Sequence, residues 1–150
     1  MEPTFFEREY LIIDKITYRV RDWRELDDVR RGDVVVLRAP SDVKEFYLKR
    51  VIGLPGERVK IAENRVIIYN ADHPQGLVLA EDYIVSNETP GAETVTLGDD
   101  QYFVLGDNRG ASFDSRRFGP IDRSAIIGRT WFRGWPFTRI TTFETPDYNS

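Results

Sequence analysis

An all-β fold is predicted by three observations. Short runs of β-branched and aromatic residues recur along the chain, clusters of Gly, Pro, Asn and Asp separate them, and no long segment carries a 3.6-residue apolar period. Strands this short and this closely spaced build antiparallel sheets in a barrel or sandwich. Strands are expected over Val34–Arg38, Glu45–Ile52, Arg58–Ile61, Arg65–Tyr69, Tyr83–Ser86 and Gln101–Leu105. The turns between them are Arg31-Gly32-Asp33, Leu54-Pro55-Gly56-Glu57, Tyr69-Asn70-Ala71-Asp72 and Leu97-Gly98-Asp99-Asp100. One helical turn is expected at Asp122–Ile126, after Gly119-Pro120. The polar, turn-rich stretch 64–95 reads as a hairpin or cap excursion from a single domain spanning 1–150, and the polar tail 141–150 is expected to fray.

Composition removes several kinds of chemistry. The net charge of −4 and pI of about 5.1 argue against a nucleic-acid-binding surface. With no cysteine there is no disulfide framework, thiolate nucleophile or cysteine metal site, and a histidine-based triad would have to use His73, the one histidine. His73 sits in a turn-like stretch and reads as a surface residue. Apolar runs such as Val34–Leu37 fall far short of the roughly 20 residues that span a bilayer, so neither an anchor nor a cleavable leader is expected here. Lysines are few (Lys15, Lys44, Lys49 and Lys60), which makes each worth inspection.

Two stretches stand out. Gly106-Asp107-Asn108-Arg109-Gly110-Ala111-Ser112-Phe113-Asp114-Ser115-Arg116 is a long polar loop directly after the apolar run Tyr102–Leu105. It reads either as a solvated loop with weak surface ion pairs or as a rigid one whose carboxylates and guanidiniums hold a hydroxyl in a cleft. In the second stretch, Phe46 to Gly56, strand alternation puts Tyr47, Lys49 and Val51 on one face and Phe46, Leu48, Arg50 and Ile52 on the other. Lys49 either snorkels from a strand edge or is desolvated, in which case its pKa falls from about 10.4 and it can act as a general base.

These stretches, with the first residues of the chain, resemble the bacterial type I signal peptidases, the serine/lysine leader peptidases. Met1-Glu2-Pro3-Thr4 is similar to the end of the nucleophile motif Ser-Met-x-Pro-Thr. Arg31-Gly32-Asp33-Val34-Val35-Val36 resembles the next motif, Tyr47 to Glu57 the lysine motif, and Gly106-Asp107-Asn108-Arg109 with Ser112, Asp114, Ser115 and Arg116 the fourth. Trp135-Pro136 resembles a closing element. Four motifs in family order favour the functional reading of both stretches.

The resemblance implies roles residue by residue. A serine hydroxyl attacks the scissile carbonyl of a preprotein, and Lys49 is the general base that takes its proton and returns it to the leaving amine. Ser112 orients the lysine, Asp114 and Arg116 pair to stiffen the loop, and Met1 packs on the lysine stem. Asp107, Asn108 and Arg109 support the loop. A dry lysine stands in for the imidazole of a triad, and no cofactor or metal is called for. The nucleophile would immediately precede Met1. As written, the chain lacks it, its part of the oxyanion hole and the family's anchor, so no peptidase activity is expected. Truncation or a misassigned start is the preferred account, and a peptide-binding pseudoenzyme the alternative. Gly110-Ala111 departs from the Asp-Asn common in the family, a change expected to loosen the loop.

Implied substrates are signal peptides of secreted preproteins ending in small residues of the A-x-A kind, bound as an added strand near Met1–Phe6 and Tyr47–Val51. The implied location is the extracytoplasmic face of the bacterial cytoplasmic membrane. Phe5, Phe6, Trp131, Phe132, Trp135 and Phe137 are either core or membrane-facing. The self-cleaving SOS repressors share a serine and a lysine on a related fold, but they lack the Gly-Asp-Asn-Arg loop, and no comparable Ala-Gly site is present here.

Overall fold

The computed structural model describes residues 10–14, 29–40, 44–84, 88–135, 141–142 and 148, with the backbone alone for 10–14, 131–135 and 141–142. Among these residues two antiparallel sheets account for almost all regular structure. The larger contains β1 (Tyr10–Asp14), β2 (Val34–Arg38), β3 (Phe46–Gly53), β8 (Gln101–Leu105), β9 (Ile121–Asp122), β10 (Ile126–Trp135) and β11 (Thr141–Thr142). Its order is β1-β10-β2-β3-β8-β9, with β11 on β10. The smaller has the order β6-β5-β4-β7, built from β4 (Arg58–Ala62), β5 (Arg65–Tyr69), β6 (Leu77–Val78) and β7 (Glu93–Thr96). Among the described residues helix is limited to α1 (Ser115–Phe118) and a 3-10 turn at Arg123–Ala125, the latter within the stretch expected to turn helically. None of the described helices is long and apolar enough to cross a membrane.

The period-two pattern explains the smaller sheet. Val59 and Ile61 on β4, and Val66 and Ile68 on β5, alternate inward and are all at most 1% exposed. Each such burial stabilises by about 1.5–3 kcal/mol relative to exposure. On β4 and β5 Arg58 faces Tyr69 across the register, its guanidinium 4.3 Å from the ring centre. The hairpin closes through Glu63 and Asn64, both at positive φ (52° and 60°), the twist that two-residue hairpins require. Along the chain the sheet runs from Arg58 at the start of β4 to Thr96 at the end of β7.

Strand β3 divides two cores. Ile52 packs with Val59, Ile61, Val66, Ile68, Phe103 and Leu105 on one side. Val51 lies with Val35, Leu37, Val104 and Ile121 on the other. The strand is therefore buried on both faces over Val51 and Ile52, while its start is open, with Phe46 60% exposed.

The expected strand at Tyr83–Ser86 is corrected by the structure. Tyr83 lies in a turn, the Ile84 N–H donates to the Glu81 carbonyl (3.1 Å), and Ser86 lies outside the described residues. Ile84 there serves burial, being 4% exposed, rather than pairing, and Val85 also lies outside the described residues. Within the tail, Thr141–Thr142 pair with β10 and Tyr148 is buried, and the remainder of 141–150 lies outside the described residues.

Candidate active site

The site is assembled where β3 and the loop after β8 meet. In the β2–β3 ladder Val35 faces Lys49 and Val34 faces Arg50, so the alternation read from the sequence holds. Lys49 shares its face with buried Val35 and Val51. Its ammonium lies 5.3 Å from the Tyr47 ring centre, and no ion pair to it is present among the described residues. Burial lowers its pKa below the ordinary lysine value, and the carboxylates of Asp114 and Asp107 counter part of that shift. A cation held without a salt-bridge partner beside apolar strand residues is a candidate base.

Arg50 takes the other face and a different environment. Its Nε and Nη2 donate to the two oxygens of Asp107 (2.9 and 2.8 Å), and its Nη1 donates to the Gly32 carbonyl (2.9 Å). The Tyr83 ring lies 4.1 Å from the guanidinium. Burial opposes its charge, but Asp107 outweighs burial and the pKa rises. Arg31 closes the same frame. It donates to the Ile52 carbonyl (2.5 Å) and to both oxygens of Glu57 (2.9 and 2.6 Å). The Arg-Gly-Asp turn, the lysine strand and the Gly-Asp-Asn-Arg loop are thus tied together through Arg31 and Arg50.

The loop is locked from inside by Asp114, a wholly buried carboxylate. It accepts from Gly106 N–H (3.1 Å) and pairs with Arg116 through Nε (2.9 Å) and Nη2 (2.8 Å). Burial alone would raise its pKa; Arg116 and the Gly106 N–H outweigh burial and hold the carboxyl below its usual range. Asp114 also caps α1 by accepting from Arg116 N–H (3.3 Å), and Ser115 Oγ accepts from Val104 N–H (3.0 Å), tethering the helix to β8.

Ser112 lies against the start of this loop, so closely that a β-carbon on Gly106 would overlap its hydroxyl. Its Oγ is buried, near enough to Asp114 to help lower that carboxyl, yet makes no hydrogen bond of ordinary geometry among the described residues. A buried hydroxyl with an open valence is unusual enough to need a role. It borders a cavity of about 460 Å³ lined also by Pro90 to Glu93, Arg116 and Arg117, but not by Tyr47–Val51.

Of the other sequence-predicted residues, Asp107 and Arg109 are buried in ion pairs, to Arg50 and Glu81. Asn108 is exposed, and its carbonyl accepts from Ala111 N–H (3.2 Å). Nothing lies within 4 Å of a β-carbon on Gly110, so a larger residue there would fit without rebuilding the loop. His73 is half-buried in a turn, where its N–H donates to Asn70 Oδ1 (2.8 Å). Met1, Phe5, Phe6 and Phe137 lie outside the described residues, as do the side chains of Trp131, Phe132 and Trp135.

Sequence reasoning missed the partners of two arginines. Arg50 carried a signal, a charge on an otherwise apolar strand face, which demands a buried carboxylate. Glu81 and Thr89, which hold Arg109, carried none.

Comparison with known proteins identifies the family and the fold. Residues 1–135 match the family described as signal peptidase, peptidase S26. A probable signal peptidase I-2 of Synechocystis sp. is 37% identical over 145 residues, which cover 93% of this chain and 61% of that protein. The chain therefore spans about three-fifths of that relative's length. A signal peptidase IB of Staphylococcus aureus is 34% identical over 161 residues, covering 98% of this chain and 79% of that one. The crystal structure of a signal peptidase I from Enterococcus faecalis superposes with a TM-score of 0.59 at 30% identity, over 69% of this chain and 97% of that one. The chain belongs to the S26 family of signal peptidases.

Proposed function

We propose that this domain carries the base half of a Ser/Lys dyad in a signal peptidase I-type serine endopeptidase, with a serine directly before Met1 as the nucleophile. The carrying observation is Lys49, whose pKa burial depresses and which has no salt bridge among the described residues. Neutral Lys49 takes the serine hydroxyl proton as the oxygen attacks the scissile carbonyl. The tetrahedral intermediate collapses, Lys49 returns the proton to the leaving amine, and water attacking the ester with the same base releases the signal peptide. Ser112, whose buried Oγ makes no hydrogen bond among the described residues, is the residue assigned to aim the lysine amine. The Asp114–Arg116 pair fixes Ser112 by fixing Gly106. Substrates are preproteins with small residues before the cut, processed at the extracytoplasmic face of the cytoplasmic membrane, and the membrane surface is the second partner.

The test is a peptidase assay on a chain with Ser added before Met1, beside its Lys49→Ala counterpart, using a peptide with an A-x-A site. Cleavage that requires Lys49 supports the reading. Peptide binding without cleavage, by a folded protein, supports a non-catalytic peptide-binding relative instead.

A further inference from the structure

The second sheet sends a segment across to the loop that carries Ser112. Arg109 meets it, with a side chain that is wholly buried. Its Nη1 and Nη2 donate to the two oxygens of Glu81 (2.8 and 2.6 Å), and Nη1 also donates to Thr89 Oγ1. Its Nε donates to the Gly106 carbonyl (3.1 Å), and its own carbonyl accepts from Arg116 Nη2 (2.7 Å). Thr89 is fully buried, and its N–H donates to the Asn64 carbonyl (2.7 Å) in the β4–β5 turn. Tyr83 donates to Glu81 (2.8 Å) and accepts from Tyr148 (3.1 Å).

We propose that Glu81 and Thr89 are positioning residues for the Lys49–Ser112 site, acting through Arg109 on Gly106. The inference rests on the Ser/Lys reading above. Gly106 is the point of transmission: its carbonyl is held by Arg109, its N–H by Asp114, and the Ser112 hydroxyl fills the space that a β-carbon on it would take. Without the Glu81 carboxylate, Arg109 is a buried cation left with a carbonyl and hydroxyls, and it must turn toward water. That movement releases the Gly106 carbonyl, and Gly106 carries Ser112 with it. The smaller sheet is thereby a brace for the catalytic loop.

The experiment uses the full chain with Ser added before Met1. Glu81→Gln keeps the shape and removes the charge. Its kcat is expected to fall between about 10- and 100-fold with KM within about twofold, since the loss is one of aim and not of substrate binding. The rate-versus-pH limb is expected to move up by roughly half a unit or more, as water reaches a loosened Lys49. In a Ser112→Ala background the same substitution is expected to add little further loss, because the group it aims is already gone. A fully additive loss, or an unchanged kcat, overturns the inference. Should Glu81→Gln fail to fold, Thr89→Val removes one contact isosterically, with an expected kcat loss of about three- to tenfold and the same non-additivity. A parent chain that does not cleave refutes the Ser/Lys reading. A parent that cleaves through Lys49 while Glu81→Gln matches it refutes the bracing role alone.

Discussion

Lys49 and Arg50 are neighbours on β3, point to opposite faces, and each has a tyrosine ring nearby, at 5.3 and 4.1 Å. Their environments differ in one respect. Arg50 is given a bidentate carboxylate and a carbonyl, whereas Lys49 receives only the more distant fields of Asp114 and Asp107. Burial opposes the charge of both, and its outcome is opposite: the arginine pKa rises and the lysine pKa falls. Two adjacent cations on one strand thus become a permanent structural ion and a lysine whose charge burial disfavours, the candidate base. The carboxylate decides which is which.

The largest effect is expected on the lysine face. Lys49→Met in the chain with Ser added before Met1 removes the base, and kcat should fall by about 10⁴-fold or more. The same substitution is expected to stabilise the fold. A lysine whose folded pKa lies below its unfolded one binds fewer protons folded, so it costs stability at neutral pH, and that cost is relieved as pH rises through the unfolded value near 10.4. At pH 7 the variant should melt about 2–4 °C higher, the equivalent of about 1 kcal/mol in a domain of this size. A Tm that fell would show that Lys49 is well solvated, and would remove the contrast between the faces.

On the arginine face the sign reverses. Arg50→Met removes the bidentate partner of the buried Asp107 carboxylate, and breaking such a buried pair costs about 3–5 kcal/mol, readable by urea denaturation. The double variant Arg50→Met/Asp107→Leu should recover most of this, because the buried carboxylate goes with its partner. Its remaining deficit would measure what the two residues bind besides each other, the Gly32 carbonyl and the Tyr83 ring among them.

Much of this contrast was legible in advance. The period-two alternation of Phe46 to Ile52 separated Lys49 from Arg50, and Arg31, Asp107, Asp114 and Arg116 were readable as motif residues. Five of the six expected strands needed only end adjustments or none: Val34–Arg38, Glu45–Ile52, Arg58–Ile61, Arg65–Tyr69 and Gln101–Leu105. The short strands β6, β7 and β9 were missed because two to four residues carry too little pattern to separate from loops. Tyr83–Ser86 misled because Tyr83 answers to the arginine network and Ile84 to burial, and neither to a ladder. Glu81 and Thr89 lie 28 and 20 residues from Arg109, and only the folded chain brings them together.

Asp114 offers an intermediate test, since its charge stiffens the loop beside the lysine. Its folded carboxyl lies below the unfolded value near 3.9, so it stabilises above that value, and the stabilisation is lost as pH falls through the folded one. Asp114→Asn should therefore lower stability at pH 7 by about 1.5–3 kcal/mol, the usual worth of a hydrogen bond to a charged group. The gap between variant and parent should narrow below pH 4, measured by denaturation across pH. A gap unchanged with pH would assign the loss to packing instead of charge.

The smallest expected effect isolates the ring beside Lys49. A tyrosine face near an ammonium favours the charged form by about 0.5–1 kcal/mol at a partly exposed site. On Arg50 this only reinforces a charge that is never lost; on Lys49 it works against the neutral base. Tyr47→Leu should move the rate-versus-pH limb of the serine-bearing chain to lower pH by about 0.3–0.7 units, since 1.36 kcal/mol is one unit. Tyr47→Trp, with the stronger quadrupole, should move it to higher pH. The pair of substitutions separates the ring's electrostatics from its bulk. Both variants keep a large apolar side chain over the lysine stem, so a change in water access alone would not send the two limbs in opposite directions. If both moved to higher pH, Tyr47 would be acting as a cover for Lys49. The lysine face would then be set by desolvation alone, with the ring's field playing no part.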